Sequence, residues 1–274
     1  MPAPTSVRTA DMVSVVVPSI GTTGMVRGAE RVFVIEAVRS VLATVATSVP
    51  LEVIVVCGRE MPAETERLLV ELGGGPGGAV RCVAYDDVFN FSATVNQGAA
   101  HADGEHLLLL NDDTEVVGAG WLERMIDAGA APGVGAVGAR LLFEDGTLQH
   151  AGHTYRTSLD HVGFGLPGDS AGRTGILRQR RRVAGVTAAC MLTPMRVFDL
   201  VGGFCTAFPG NYNDVDYCMK VRASGHSIVY EPDAVLWHFE SKSRVTGIRP
   251  DEVALIQRRW LSELIDDPFT PVSP

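Results

Sequence analysis

Two aspartates, Asp112 and Asp113, close the apolar run His106-Leu-Leu-Leu-Leu110 within Asn111-Asp-Asp-Thr114. Adjacent carboxylates at a strand end suit a divalent cation, whose hard charge prefers oxygen ligands. The same pair also suits capping of the turn that follows. A second acidic turn, Asn213-Asp214-Val215-Asp216 after Tyr212, opens a predicted helix. Capping accounts for Asn213 or Asp214, but two carboxylates in one turn leave one to reach into a cleft as a general base. His238 ends the run Ala234–His238. An imidazole there is either a ligand for manganese-like ions or a hydrogen-bonded structural residue. Just beyond it, Lys242 and Arg244 carry cations able to hold phosphate oxygens. Arg178, Arg180, Arg181 and Arg182 could do the same for an anionic acceptor, although a solvated loop face is the simpler account. His150 and His153 stand three apart with no third ligand near them in sequence, a weak pattern for zinc.

These residues need a frame that brings strand ends together. Val13–Val17 reads as a buried strand stopped by Pro18, residues 28–47 as a helix, Leu51–Val56 as a strand and Pro62–Leu72 as a helix. The Gly73–Gly78 run is a flexible turn and not a phosphate loop, because no Lys-Ser or Lys-Thr follows it. Val80–Ala84 is a third strand, Ser92–Ala102 a helix, residues 106–110 a fourth strand and Gly120–Ala128 a helix. Strands alternating with helices imply a mostly parallel sheet covered on both faces. Ligands of such sheets sit beyond the carboxyl ends of the strands, where Asp112 and Asp113 stand. The second half is less regular. Strands at Val134–Phe143 and Val183–Thr193 flank a Gly-rich connection of about forty residues, a length that usually signals function. A helix near Pro194–Val201, a helix reaching about Ser224, strands at Ser227–Tyr230 and Ala234–His238, and a helix from Pro250 complete the chain.

The 274 residues are 46% hydrophobic and 20% charged, with a formal net charge of −9. That balance excludes non-specific nucleic-acid binding, which rests on clustered Lys and Arg. No run approaches the roughly 20 apolar residues of a membrane span, and MPAPTSVRTADM lacks the apolar core of a signal peptide. The expectation is a cytoplasmic protein, in peripheral contact at most with the inner face of the plasma membrane. Five cysteines without a CxxC pair predict buried free thiols.

The ordered set VSVVVPS, FNFSATVNQGAAHADGEHLLLLNDDTEV, WLERM, VGAVGARLLFEDGTLQHAG, VTAACMLTP, VGGF, NDVDYCMKVRASGHSIVYEPDAVLWHFESKSR and DPF resembles glycosyltransferase family 2 from Asp11 to Pro271. It looks most like the rhamnosyltransferase branch that builds O-antigens and other bacterial surface polysaccharides. The resemblance implies an α/β GT-A fold: a mostly parallel central sheet flanked by helices, with a smaller acceptor-side sheet. It implies one domain over residues 1–274, with a nucleotide-sugar half at 11–115, an acceptor and catalytic half at 116–247, and a C-terminal helix and tail at 248–274. The implied reaction is metal-dependent and inverting. A sugar moves from a UDP- or dTDP-sugar to a hydroxyl of a glycan, lipid-linked or small-molecule acceptor.

By the same resemblance Asp113 and His238 ligate Mn2+ or Mg2+, and Asp112 contacts the ribose or the metal. Asp214 is the general base, Asp216 orients the site or caps the helix, and Tyr212 and Asn213 face the acceptor. Pro18 and Ser19 pack on the nucleobase, Asn96 borders the nucleotide pocket, and Lys242 and Arg244 belong to a segment that closes over the diphosphate. Cys57-Gly58-Arg59 stands where the family often places an aspartate on the base. Two alternatives stay open. A sugar-nucleotidyltransferase carries a Gly-rich, basic signature after the first strand, which SIGTTGMVRG matches only weakly. A non-catalytic relative would have lost Asp113 or Asp214, and both are present.

Overall fold

The computed structural model describes residues 8–155, 159–239 and 247–269. In chain order the elements are β1 (Thr9–Ser19), β2 (Thr23–Val26), β3 (Ala29–Val32), α1 (Phe33–Thr44), β4 (Leu51–Gly58), α2 (Ala63–Leu72), β5 (Val80–Tyr85), α3 (Phe91–Ala100), β6 (Gly104–Leu110), β7 (Thr114–Val116) and α4 (Trp121–Gly129). The second half adds β8 (Val134–Leu142), β9 (Leu148–His150), β10 (His153–Thr154), β11 (Asp160–His161), β12 (Arg181–Val183), β13 (Cys190–Pro194), α5 (Met195–Leu200), α6 (Asn213–Ala223), β14 (Ser227–His238) and α7 (Pro250–Ile265).

One ten-stranded sheet runs β12-β14-β8-β13-β6-β1-β4-β5, with β7 added on β14 and β9 on β8. The pairs β1–β4, β1–β6 and β4–β5 are parallel. β13 then joins antiparallel to both β6 and β8, and β14 lies parallel to β8. The parallel part is thus the N-terminal half, and the mixed part is the C-terminal half of the same sheet. Small two-stranded sheets, β10–β11 and β2–β3, stand apart from it.

Period-two alternation divides the core between the two faces. Val13, Val15 and Val17 of β1 pack with Leu108 and Leu110 of β6 against Val34 and Val38 of α1, Leu69 of α2 and Trp121 of α4. Val16, Leu107 and Leu109 face the other way, against Val95 of α3, Phe198 of α5 and Tyr217 of α6. Gly98 lets α3 lie on β1, since a Cβ there would overlap the Val16 side chain. The chain leaves β1 toward β4 and β5, then returns to β6 on the opposite side. That reversal opens a crevice at the carboxyl ends of β1 and β6.

Three elements differ from the sequence expectation. The helix expected over residues 28–47 starts only at Phe33, because Arg27 and Gly28, with φ of 50° and 80°, turn a β2–β3 hairpin ahead of it. The strand expected over 183–193 is broken: residues 184–189 leave the ladder between β12 and β13. Gly185 passes so close to Tyr155 and His153 that a Cβ would lie 3.0 Å from His153 Nδ1. The two strands expected at 227–230 and 234–238 are one, carrying a register shift between Glu231 and Val235. The long connection also holds β9, β10, β11 and β12.

Candidate active site

The carboxyl ends of β1 and β6 bring Ser19 to Asp112: the Ser19 hydroxyl donates to Asp112 Oδ2 at 2.6 Å and accepts from Gly21 N at 3.0 Å. Pro18 and Ser19 lie in register with Val56 and Cys57 of β4, whose thiol is buried in the core. Burial, and then the charge of adjacent Asp113, push the Asp112 carboxyl up to about 7. A site that raises a carboxyl in this way welcomes a positive charge.

β7 and β14 pair antiparallel with His238 opposite Thr114, and Phe239 N donates to Asp113 O at 2.9 Å. This ladder sets His238 Nε2 3.1 Å from Asp113 Oδ1 and 3.2 Å from Asn111 Nδ2. On its other edge the ring bonds Gln149 Oε1 at 2.6 Å through Nδ1. Because the Gln149 oxygen only accepts, His238 Nδ1 carries a proton toward it, and Nε2 is the ring atom that faces Asp113. A carboxylate and an imidazole side by side, the second oriented by a buried amide, form a donor set that fits Mn2+. Neither the sequence spacing nor the family motifs singled out Gln149. Its signal was faint, a polar residue in a three-residue strand that is buried throughout.

Asp214 sits in the first turn of α6, whose N-terminal cap is Tyr212 in the left-handed conformation at φ 57°. Asn213 does not cap the helix, its amide donating to Gly210 O at 3.1 Å, whereas Asp214 Oδ1 accepts from the first-turn amide Val215 N at 2.8 Å. Asp214 Oδ2 accepts a 3.4 Å bond from Ala188 N in the segment that leaves the sheet, and its carboxylate is 18% exposed. Asp216 is fully buried and turns away from it. Its Oδ1 accepts from Trp260 Nε1 at 2.8 Å and pairs with Arg259 Nε at 3.1 Å, while Lys220 lies 3.8 Å from Oδ2. Asp216 therefore fastens α6 to α7. From α7, the buried Glu252 accepts from Gly210 N, Asn211 N and Asn211 Nδ2, fixing the turn ahead of Asp214.

Asn96 uses both ends of its amide on Phe204, donating to the carbonyl and accepting from the N–H, each at 2.8 Å. Lys242 and Arg244 lie outside the described residues. Of the arginine group, Arg180 pairs with Glu231 and Asp127. Arg181 donates to Ala151 O at 2.5 Å and lies over the Tyr230 ring, and Arg178 holds Asp169 O. These three serve the scaffold, against the acceptor-binding option.

The histidine pattern gains a third member. His161 of β11 joins His150 and His153, and ligand atoms of the three lie within 4.8 Å of one another. Burial lowers all three imidazoles, His150 well below its ordinary range and His153 to about 4. His161 was invisible to spacing because it arrives from inside the long connection.

The family described as "Glycosyltransferase like family 2" matches residues 10–261. The chain belongs to this family. Among its curated relatives, the uncharacterized protein y4gI of Sinorhizobium fredii is 36% identical over 79% of the chain. The O-antigen biosynthesis protein RfbC of Myxococcus xanthus is 34% identical over 69%. The chain spans 25% and 15% of the lengths of these relatives. The crystal structure of GalNAc-T7 with UDP, GalNAc and Mn2+ superposes with a TM-score of 0.69 at 12% identity, over 90% of this chain and 47% of that one. Mannosyltransferase PcManGT from Pyrobaculum calidifontis, in complex with GDP-Man and Mn2+, gives 0.59 at 17% identity, over 99% and 68%. At these identities the likeness is one of fold, and the fold is GT-A. Among the described residues no helix is long and apolar enough to cross a membrane.

Proposed function

We propose that this glycosyltransferase moves a sugar from a UDP- or dTDP-sugar to a hydroxyl of a glycan, lipid-linked or small-molecule acceptor, with inversion at the anomeric carbon. The observation that carries the reading is the Asp113–His238 pair, 3.1 Å apart and oriented by Gln149. Asp113 and His238 would hold Mn2+ or Mg2+, which when bound neutralises the diphosphate of the leaving nucleotide. Residues 11–115 contribute the nucleotide side through Pro18, Ser19 and Asp112, and residues 116–247 the acceptor side. Asp112, bonded by Ser19, faces the ribose or the cation.

Sugar hydroxyls do not ionise at neutral pH, so the attacking oxygen must lose its proton as the new bond forms. Asp214 takes that proton. One carboxylate oxygen is steadied by Ala188 N, and the helix turn is set by Tyr212 and by Glu252. A single in-line displacement then inverts the carbon. Asp216 is the buried strut of this arrangement, and Asn96 that of the Phe204 turn. The relatives, one of them named for O-antigen biosynthesis, support a bacterial surface glycan as the acceptor class.

The test separates chemistry from binding. Asp214→Asn is expected to abolish transfer while leaving Mn2+-dependent nucleotide binding intact. Loss of nucleotide binding in that variant would move Asp214 out of the base role and into the donor site.

A further inference from the structure

Outside the Asp113–His238 pair, the molecule buries a second set of metal-competent side chains. His150 is fully buried and His153 nearly so, and with His161 they pack ring to ring at centroid distances of 4.6–5.1 Å. No other group of three His, Cys, Asp or Glu residues converges in this way among the described residues. The hydrogen bonds around two of the rings, His161 and His150, fix where their lone pairs are. His161 Nδ1 contacts the Gln149 carbonyl at 3.2 Å, so it carries the proton and Nε2 does not. His150 Nε2 accepts a long 3.3 Å bond from Thr187 N, so its lone pair is also on Nε2. His153 Nδ1 contacts the Tyr155 hydroxyl at 3.0 Å, and its Nε2 lies 3.9 Å from Asp214 Oδ2.

Hydrogen bonding alone is a poor reason to bury these rings. Among the described residues the buried His150 Nδ1 has no hydrogen-bond partner, and the Nε2 lone pair has only the long bond from Thr187 N to offset the hydration it gives up. The amides of Thr187 and Ala188, adjacent in the segment that leaves the sheet, reach His150 Nε2 and Asp214 Oδ2 respectively. The imidazoles and the carboxylate therefore converge on one stretch of backbone. Asp160 and Asp214 supply negative charge beside the rings, and Arg181 and His238 lie on the positive side of the balance.

We infer that His150, His153 and His161 form a second cation site, for a nitrogen-preferring transition ion such as Zn2+, at the edge of which Asp214 lies. Imidazole ligands select zinc, cobalt or nickel over Mg2+, and burial keeps hydration water from competing. Zn–N bonds of about 2.0–2.1 Å place tetrahedral nitrogens roughly 3.3–3.4 Å apart. The ligand atoms must close by up to about 1.5 Å from the 4.8 Å limit, within reach of side-chain rotation. Two of the three rings already have the outer-edge bond typical of metal-bound histidine, to Gln149 O and to Tyr155.

The experiment is titration of the full chain with Co2+ alone, read by its visible absorption, which is intense for a four-coordinate nitrogen site and weak for an octahedral oxygen site. One equivalent of intense absorption is expected, displaced by Zn2+, retained in Asp113→Ala and lost in His161→Gln. His161 is partly exposed, and circular dichroism checks that this variant is folded; His153→Gln, expected to lose the absorption too, is the second variant. Intense absorption that survives both histidine variants, absorption lost in Asp113→Ala instead, or none at all would overturn the site. Mn2+-dependent UDP binding, measured on the same samples, reports separately on the donor site, so failure of one reading is distinguishable from failure of the other.

Discussion

The Asp113–His238 contact depends on a ring held in one orientation, and Gln149 is what holds it. Outer-shell partners of this kind typically cost 10–100-fold in metal affinity when removed. Gln149→Leu is therefore expected to weaken Mn2+ binding by about that factor, while Gln149→Glu, which keeps an acceptor facing Nδ1, retains more of it. Calorimetry of both variants checks this; a Gln149→Leu variant with undiminished affinity would remove Gln149 from the account. At this scale legibility was uneven. Asp113, Asp214 and His238 stand out as candidates because strand ends and a helix start are visible in the apolar pattern. Gln149 and His161 do not, since their partners are 89 and 12 residues away and reach them only across the folded sheet.

Among the elements, α7 is the one whose role the sequence understated. In sequence it is only a helix from Pro250, yet its Glu252 fixes the turn before Asp214 and its Arg259 and Trp260 hold the buried Asp216. Removing one partner of a buried pair leaves an uncompensated charge and costs roughly 3–5 kcal/mol. Asp216→Ala is thus expected to destabilise the protein by about that amount in urea unfolding, far more than Asp214→Asn, whose carboxylate is partly exposed. Equal losses would mean that Asp216 is not a strut. The parallel half was legible because period-two runs and helical spacing alternate cleanly through β6. The break at 184–189 was not, because a short, mostly buried run of small residues carries no periodicity, and only the close approach of Gly185 to His153 decides it.

For the molecule as a whole, the sheet is continuous across its parallel and mixed parts, and the proposed donor and acceptor groups meet where they join. A ligand that binds only the native state stabilises it, by about 2.7 kcal/mol at a hundred times its dissociation constant. Mn2+ together with the correct nucleoside diphosphate is expected to raise the thermal midpoint by more than the sum of the separate effects. That excess should vanish with EDTA or in Asp113→Ala. A merely additive shift would separate the cation from the nucleotide.

The most direct measurement is calorimetric titration of the chain with UDP, dTDP and GDP, each with and without Mn2+. The account predicts that UDP or dTDP binds, that binding requires Mn2+, and that Asp113→Ala removes it. Binding of none of the three, or binding of equal strength without the cation, would contradict a donor site built on Asp113 and His238.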